Sequence, residues 1–110
     1  MLLPNRDKAY VPSDKLSGYL LSESHPVGKS KARFFRAHGY DTETIDLFER
    51  DLLSIARTNP LKQVVESPHG IKYTISGTMN TPRGTQISVE TVWITEPDDD
   101  RPRLVTAYPG

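Results

Sequence analysis

Thr85-Gln86-Ile87-Ser88-Val89-Glu90-Thr91-Val92-Trp93-Ile94-Thr95, followed after an acidic turn by Arg103-Leu104-Val105-Thr106-Ala107-Tyr108, decides the fold. Both runs are rich in β-branched and aromatic residues and are bounded by turn formers, the pattern of antiparallel strands. Similar alternation begins at residue 61, so four strands are expected: Lys62 to Glu66, Ile71 to Thr78, Thr85 to Thr95 and Arg103 to Tyr108. Ser67-Pro68-His69-Gly70 and Asn80-Thr81-Pro82-Arg83-Gly84 supply the first two turns, and Pro97-Asp98-Asp99-Asp100 opens the third.

Setting Glu96 opposite Arg103 fixes an expected register for the last hairpin. One face then carries Val92, Ile94, Val105 and Ala107, an apolar set suited to packing. The other carries Thr91, Trp93, Thr106 and Tyr108, hydroxyls and aromatics suited to binding. A slip of one residue exchanges the two faces.

Working back toward the N-terminus, Asp41-Thr42-Glu43 opens the longest helix, in which Ile45, Phe48, Leu52 and Ile55 recur at helical spacing until Asn59-Pro60 stops it. A shorter helix is expected from a Ser30 cap to about Ala37, with Gly39 as its C′ residue and Ala32 and Phe35 on its core side. A first helix starts at Ser13 and buries Leu16, Tyr19 and Leu20, and Pro4 to Ala9 read as an arm laid over the surface. Helices followed by a meander predict an α+β fold, with two or three N-terminal helices on one face of a four-stranded antiparallel β-sheet.

At 110 residues this is the length of one domain, 1–110, with a single core. The absence of cysteine removes disulfides and thiolate chemistry. No apolar run is long enough to span a bilayer and no secretory signal is evident, so a cytoplasmic location is expected and no membrane partner. Net charge is zero but unevenly spread: residues 1 to 40 hold seven Lys/Arg against three Asp/Glu, and residues 41 to 60 hold two against five. The positive excess lies from Lys29 to Arg36, a local patch able to hold a phosphate.

That patch adjoins His25-Pro26-Val27-Gly28, a histidine on a constrained loop. An imidazole is a common acid or base in phosphodiester cleavage, and Lys31 beside a helix start can stabilise the anion that develops. His25 has a plainer reading too, as a loop histidine that caps or hydrogen-bonds locally. Thr91, Thr106 and Tyr108 supply hydrogen-bond donors or are ordinary strand residues, Trp93 offers a surface for base stacking or is a core residue, and Lys29 and Arg33 make phosphate contacts or form a solvated face. Contiguous acids at Asp98-Asp99-Asp100 read as a solvated turn, so no metal and no cofactor are expected.

The segments Lys15-Leu16-Ser17-Gly18-Tyr19-Leu20-Leu21, His25-Pro26-Val27-Gly28, Lys31-Ala32-Arg33-Phe34-Phe35, Thr91-Val92-Trp93 and Arg103 to Tyr108 resemble a family of small bacterial domains with the pattern His-Pro-x-Gly-x-x-Lys-Ala-x-Phe-Phe. In element order the chain is similar to the ribonuclease-toxin fold shared by barnase, EndoU nucleases, colicin nuclease domains and RelE. The resemblance implies a metal-independent endoribonuclease of toxin type that cleaves tRNA or mRNA and is held in check by an antitoxin or immunity protein. It implies His25 as acid or base and Lys31 as electrostatic stabiliser, with Thr91, Thr106 and Tyr108 donating hydrogen bonds. The alternative is a non-catalytic protein-binding module of a bacterial conflict system that uses the Trp93 face.

Overall fold

The computed structural model describes all residues, 1–110, and has the expected α+β order. A 3₁₀ turn (Arg6–Lys8) precedes α1 (Ser13–Lys15), which runs into a π-helical turn over Leu16–Leu20. Next come α2 (Lys29–Ala37) and α3 (Ile45–Thr58), the latter led in by a 3₁₀ turn over Thr42–Thr44. The sheet is β1 (Gln63–Ser67), β2 (Gly70–Asn80), β3 (Gln86–Thr95) and β4 (Arg103–Pro109), antiparallel and in chain order.

Local chemistry accounts for the helix ends. The Asp41 carboxylate accepts the N–H groups of Glu43 and Thr44 while the Thr44 hydroxyl accepts that of Asp41, a reciprocal cap for α3. Gly39, at φ 99°, occupies the left-handed position after α2. Phe48, Leu52, Ile55 and Ala56 of α3 are buried, and Phe48 packs against Phe35 and Tyr40 with ring centroids 4.8 Å apart in each case. Tyr40 donates to Asp51 at 2.7 Å; burial first, and then this bond, push its phenol well above the usual range.

The helix-facing side of the sheet is Tyr73, Ile75 and Met79 from β2, Ile87, Val89, Thr91 and Trp93 from β3, and Leu104 and Ala107 from β4, all buried. This corrects the expected faces of the last hairpin. Arg103 pairs with Ile94, not Glu96, and Trp93 pairs with Leu104 while Val92 pairs with Thr106, leaving Val105 as an extra residue in a bulge. Trp93, not Val92, is the β3 residue turned inward. Its indole is the largest side chain in the core, with 0% exposed, and burying it outweighs leaving the smaller Val92 half-buried on the other face, where Ile94 is buried as well. Thr91, also 0% exposed, makes that burial possible: its hydroxyl accepts the Trp93 indole N–H at 2.8 Å and donates to the Ile75 carbonyl at 2.9 Å.

The N-terminal arm is more than a surface layer. Leu3, Ala9 and Val11 are core residues, and Tyr10 forms a parallel bridge with β4, donating to the Pro102 carbonyl and accepting from the Leu104 N–H. No helix is long and apolar enough to cross a membrane.

Candidate functional site

The loop between α1 and α2 is built around His25. Its Nδ1 accepts the backbone N–H groups of Val27 and Gly28, both at 3.0 Å, and its carbonyl accepts the N–H of Lys29 at 3.0 Å. His25 therefore ties down the turn that leads into α2, whose N-cap position, Gly28, carries no side-chain cap, and Ser30, expected as the cap, lies inside the helix. Gly28 is required by proximity: a Cβ there would lie 2.4 Å from the Tyr19 carbonyl oxygen. Its φ is −82°, so close approach, not turn conformation, explains the residue.

With Nδ1 accepting two amides, the proton of the neutral ring resides on Nε2, which has no partner within the protein. An imidazole held this way presents a hydrogen-bond donor. It is not poised as a general base, because Nε2 already carries its proton. The local-capping reading of His25 is thus realised, with a free N–H added.

The ring meets Tyr19 edge-on at 5.0 Å between centroids. Tyr19 in turn shares a hydrogen bond of 3.1 Å with the Thr106 hydroxyl and lies under two ammonium groups, Lys15 at 5.0 Å and Lys31 at 5.6 Å from its ring centroid. His25, Tyr19, Lys15, Val27, Val105 and Thr106 line a cleft of 480 Å³. Asp14 is the one carboxylate on its wall. The same loop and α2 form a second groove of 340 Å³, lined by Lys29, Arg33, Arg36 and Glu23. Arg36 is fixed there by Glu23 at 3.3 Å and by the Leu21 carbonyl at 2.8 Å. Lys15, Lys29, Lys31 and Arg33 form no ion pair.

Of the residues expected at the site, His25, Lys31 and Thr106 come together, and Lys29 and Arg33 line the neighbouring groove. Thr91 and Trp93 do not reach it: both are sealed in the core, so neither offers a hydroxyl or a stacking face to a ligand. Tyr108 pairs opposite Glu90, away from the helix-facing residues of the sheet. The polar-aromatic surface on which a Trp93-centred binding module would depend is therefore absent. Tyr19 and Lys15 are the additions. Their i, i+4 spacing was the available signal, but Tyr19 reads as a plain member of the buried stripe until its partner Thr106 is known.

The fold resembles that of a chain in a contact-dependent growth inhibition toxin–immunity protein complex from Klebsiella pneumoniae 342, with a TM-score of 0.72, 14% identity, and coverage of 94% of this chain and 95% of that one. At that identity the likeness is one of fold. No curated protein matches the sequence. A family described as "Domain of unknown function (DUF6883)" matches residues 2–110.

Proposed function

The chain belongs to the DUF6883 family, and from that premise we propose that it is a toxin-type domain that binds an RNA phosphodiester in the His25 cleft and cleaves it. The observation that carries this reading is the placement of unpaired cations. On a protein of zero net charge, Lys15, Lys29, Lys31 and Arg33 all lack a carboxylate partner; Lys15, Lys29 and Arg33 line the two grooves around the His25 loop, and Lys31 lies over the Tyr19 ring that forms part of one of them. Cations left without partners around a concave site favour an anionic ligand.

In the proposed reaction the ribose 2′-hydroxyl gives up its proton to solvent water as its oxygen attacks the adjacent phosphorus, and the bond to the 5′-oxygen breaks with that oxygen taking a proton from solvent, giving a 2′,3′-cyclic phosphate and a 5′-hydroxyl. Lys15 and Lys31 oppose the charge that grows on the phosphoryl oxygens, and the Nε2–H of His25 donates to one of them. The Tyr19 and Thr106 hydroxyls add hydrogen bonds, and Lys29 and Arg33 hold flanking phosphates. The structural neighbour belongs to a toxin–immunity protein complex, which supports a protein inhibitor as the partner of this domain.

The test is incubation of purified protein with total cellular RNA in the presence of a chelator. Wild-type protein is expected to yield fragments ending in cyclic phosphate, and Lys31→Ala to lose most of that activity with its fold intact. RNA that remains whole under all tested conditions overturns the reading.

A further inference from the structure

A cavity of 860 Å³ opens between the N-terminal arm, the β1–β2 turn and the β3–β4 loop, and shares no lining residue with the His25 cleft. Glu66, Glu96, Asp98, Asp99 and Asp100 line it, and no Lys, Arg or His does. Three of these carboxylates are paired with cations that do not line the cavity: Glu96 with Arg103 at 2.8 Å, Asp99 with Arg101 at 3.0 Å and Asp100 with Lys8 at 2.7 Å. Glu66 and Asp98 form no ion pair.

Acidity alone would signify a solvated turn, but Tyr73 adds an independent observation. This β2 residue is only 6% exposed, lines the cavity, and its hydroxyl has no hydrogen-bond partner in the protein. Every fully enclosed side-chain polar atom in the molecule does have a partner. The Tyr73 hydroxyl is therefore not fully enclosed, and since the residue lines this cavity and no other, we take the cavity as the space the hydroxyl opens to, an acceptor left free beside an anionic wall.

The carboxylates do not converge on a point: no three acidic or imidazole groups are arranged to hold a metal ion. Dispersed acceptors suit a cation whose donors are also dispersed, and the planar guanidinium, with five N–H groups, is the side chain of that kind. The volume admits more than one side chain. We propose that this cleft docks a basic segment of a protein partner, with an arginine entering between Glu66 and Asp98 to donate to the Tyr73 hydroxyl. The proposal is independent of the RNA reading. An anionic wall repels nucleic acid, so a partner held here would leave the cationic His25 grooves to a different ligand.

The experiment is an NMR titration of isotope-labelled protein with a hexa-arginine peptide, with hexaglutamate and spermine as separate arms. Expected are shifts confined to residues 66–73 and 95–100, roughly tenfold weaker binding for Glu66→Gln/Asp98→Asn, and a loss of roughly threefold or more for Tyr73→Phe, which keeps the ring and removes only the oxygen. RNA cleavage is expected to be unchanged in these variants. Shifts spread over the other acidic surfaces, or binding undiminished in the charge variants, overturn the proposal. Spermine binding with the same footprint and affinity overturns the assignment to a peptide segment. Should Tyr73→Phe fail to fold, the charge variants decide alone.

Discussion

The hydroxyl of Tyr19 meets that of Thr106 at 3.1 Å, a hydrogen bond that joins the turn after α1 to the edge strand across 87 positions of sequence. It is the one side-chain hydrogen bond between the helical half of the His25 cleft and its strand wall. Tyr19→Phe and Thr106→Val are each expected to lower stability by about 1 kcal/mol, with a coupling energy of similar size in the double variant. Urea denaturation of the four proteins measures this, and additive losses would show that the bond holds nothing together.

His25 has two separable roles. Asparagine places an acceptor where Nδ1 stands, so His25→Asn is expected to keep the turn that leads into α2, whereas His25→Ala loses about 1 kcal/mol of stability with it. Both remove the Nε2–H. Both are therefore expected to impair RNA cleavage, but only the alanine variant to show a lower melting temperature. Full activity in His25→Asn would assign the residue to capping alone.

Gly28→Ala introduces a Cβ 2.4 Å from a backbone oxygen of Tyr19, and backbone cannot swing aside as a side-chain tip can. A loss of about 1–3 kcal/mol is expected. Because relief requires the loop and the Tyr19 segment to separate, cleavage is expected to fall with it, as read by denaturation and the RNA assay in parallel.

Thr91→Val preserves shape but removes the acceptor for the Trp93 indole and the donor to Ile75. The expected cost is about 1–3 kcal/mol for the polar groups left unpaired in the core. RNA affinity per folded molecule is expected to be unchanged, since neither residue reaches solvent. A selective loss of RNA binding without destabilisation would restore Thr91 to the site.

Glu90 accepts from Lys62 and Ser76, and these bonds, that from Lys62 first, hold its carboxyl below the ordinary range. A carboxylate depressed in the folded state contributes stability that is present above its unfolded value and lost as pH falls through the folded one. Wild-type protein is therefore expected to lose more stability on acidification than Glu90→Gln. Thermal melts across the acid range check the sign.

Much of the fold was legible because its signals are local. Phe48, Leu52 and Ile55 mark one helix face by spacing alone, Asn59-Pro60 stops that helix, and the four strands begin and end within a few residues of the expected positions. The register of the last hairpin was not legible. Val92 and Ile94 are as apolar as Trp93 and Leu104, so alternation there fits either face, and the bulge at Val105 has no sequence marker. The choice was made by core volume and by one threonine able to satisfy an indole. In the candidate site, residue type left His25 and Lys31 open between a ligand-binding and a local structural reading, and only the family resemblance set them above their neighbours, while Tyr19 was hidden among the residues of a buried stripe.

The bridge between Tyr10 and β4 joins a segment of this domain that is synthesised early to the last of its strands. Until β4 has left the ribosome, Leu3, Ala9 and Val11 have no finished core to enter, and closure of the domain awaits a contact between distant parts of the chain. A message cut short before residue 103 would release a product with these apolar residues uncovered and the β3 edge unpaired, a substrate for chaperones and proteases. The His25 cleft, one wall of which is Val105 and Thr106 of β4, thus forms only once that last strand has been made, and its appearance is timed by synthesis itself.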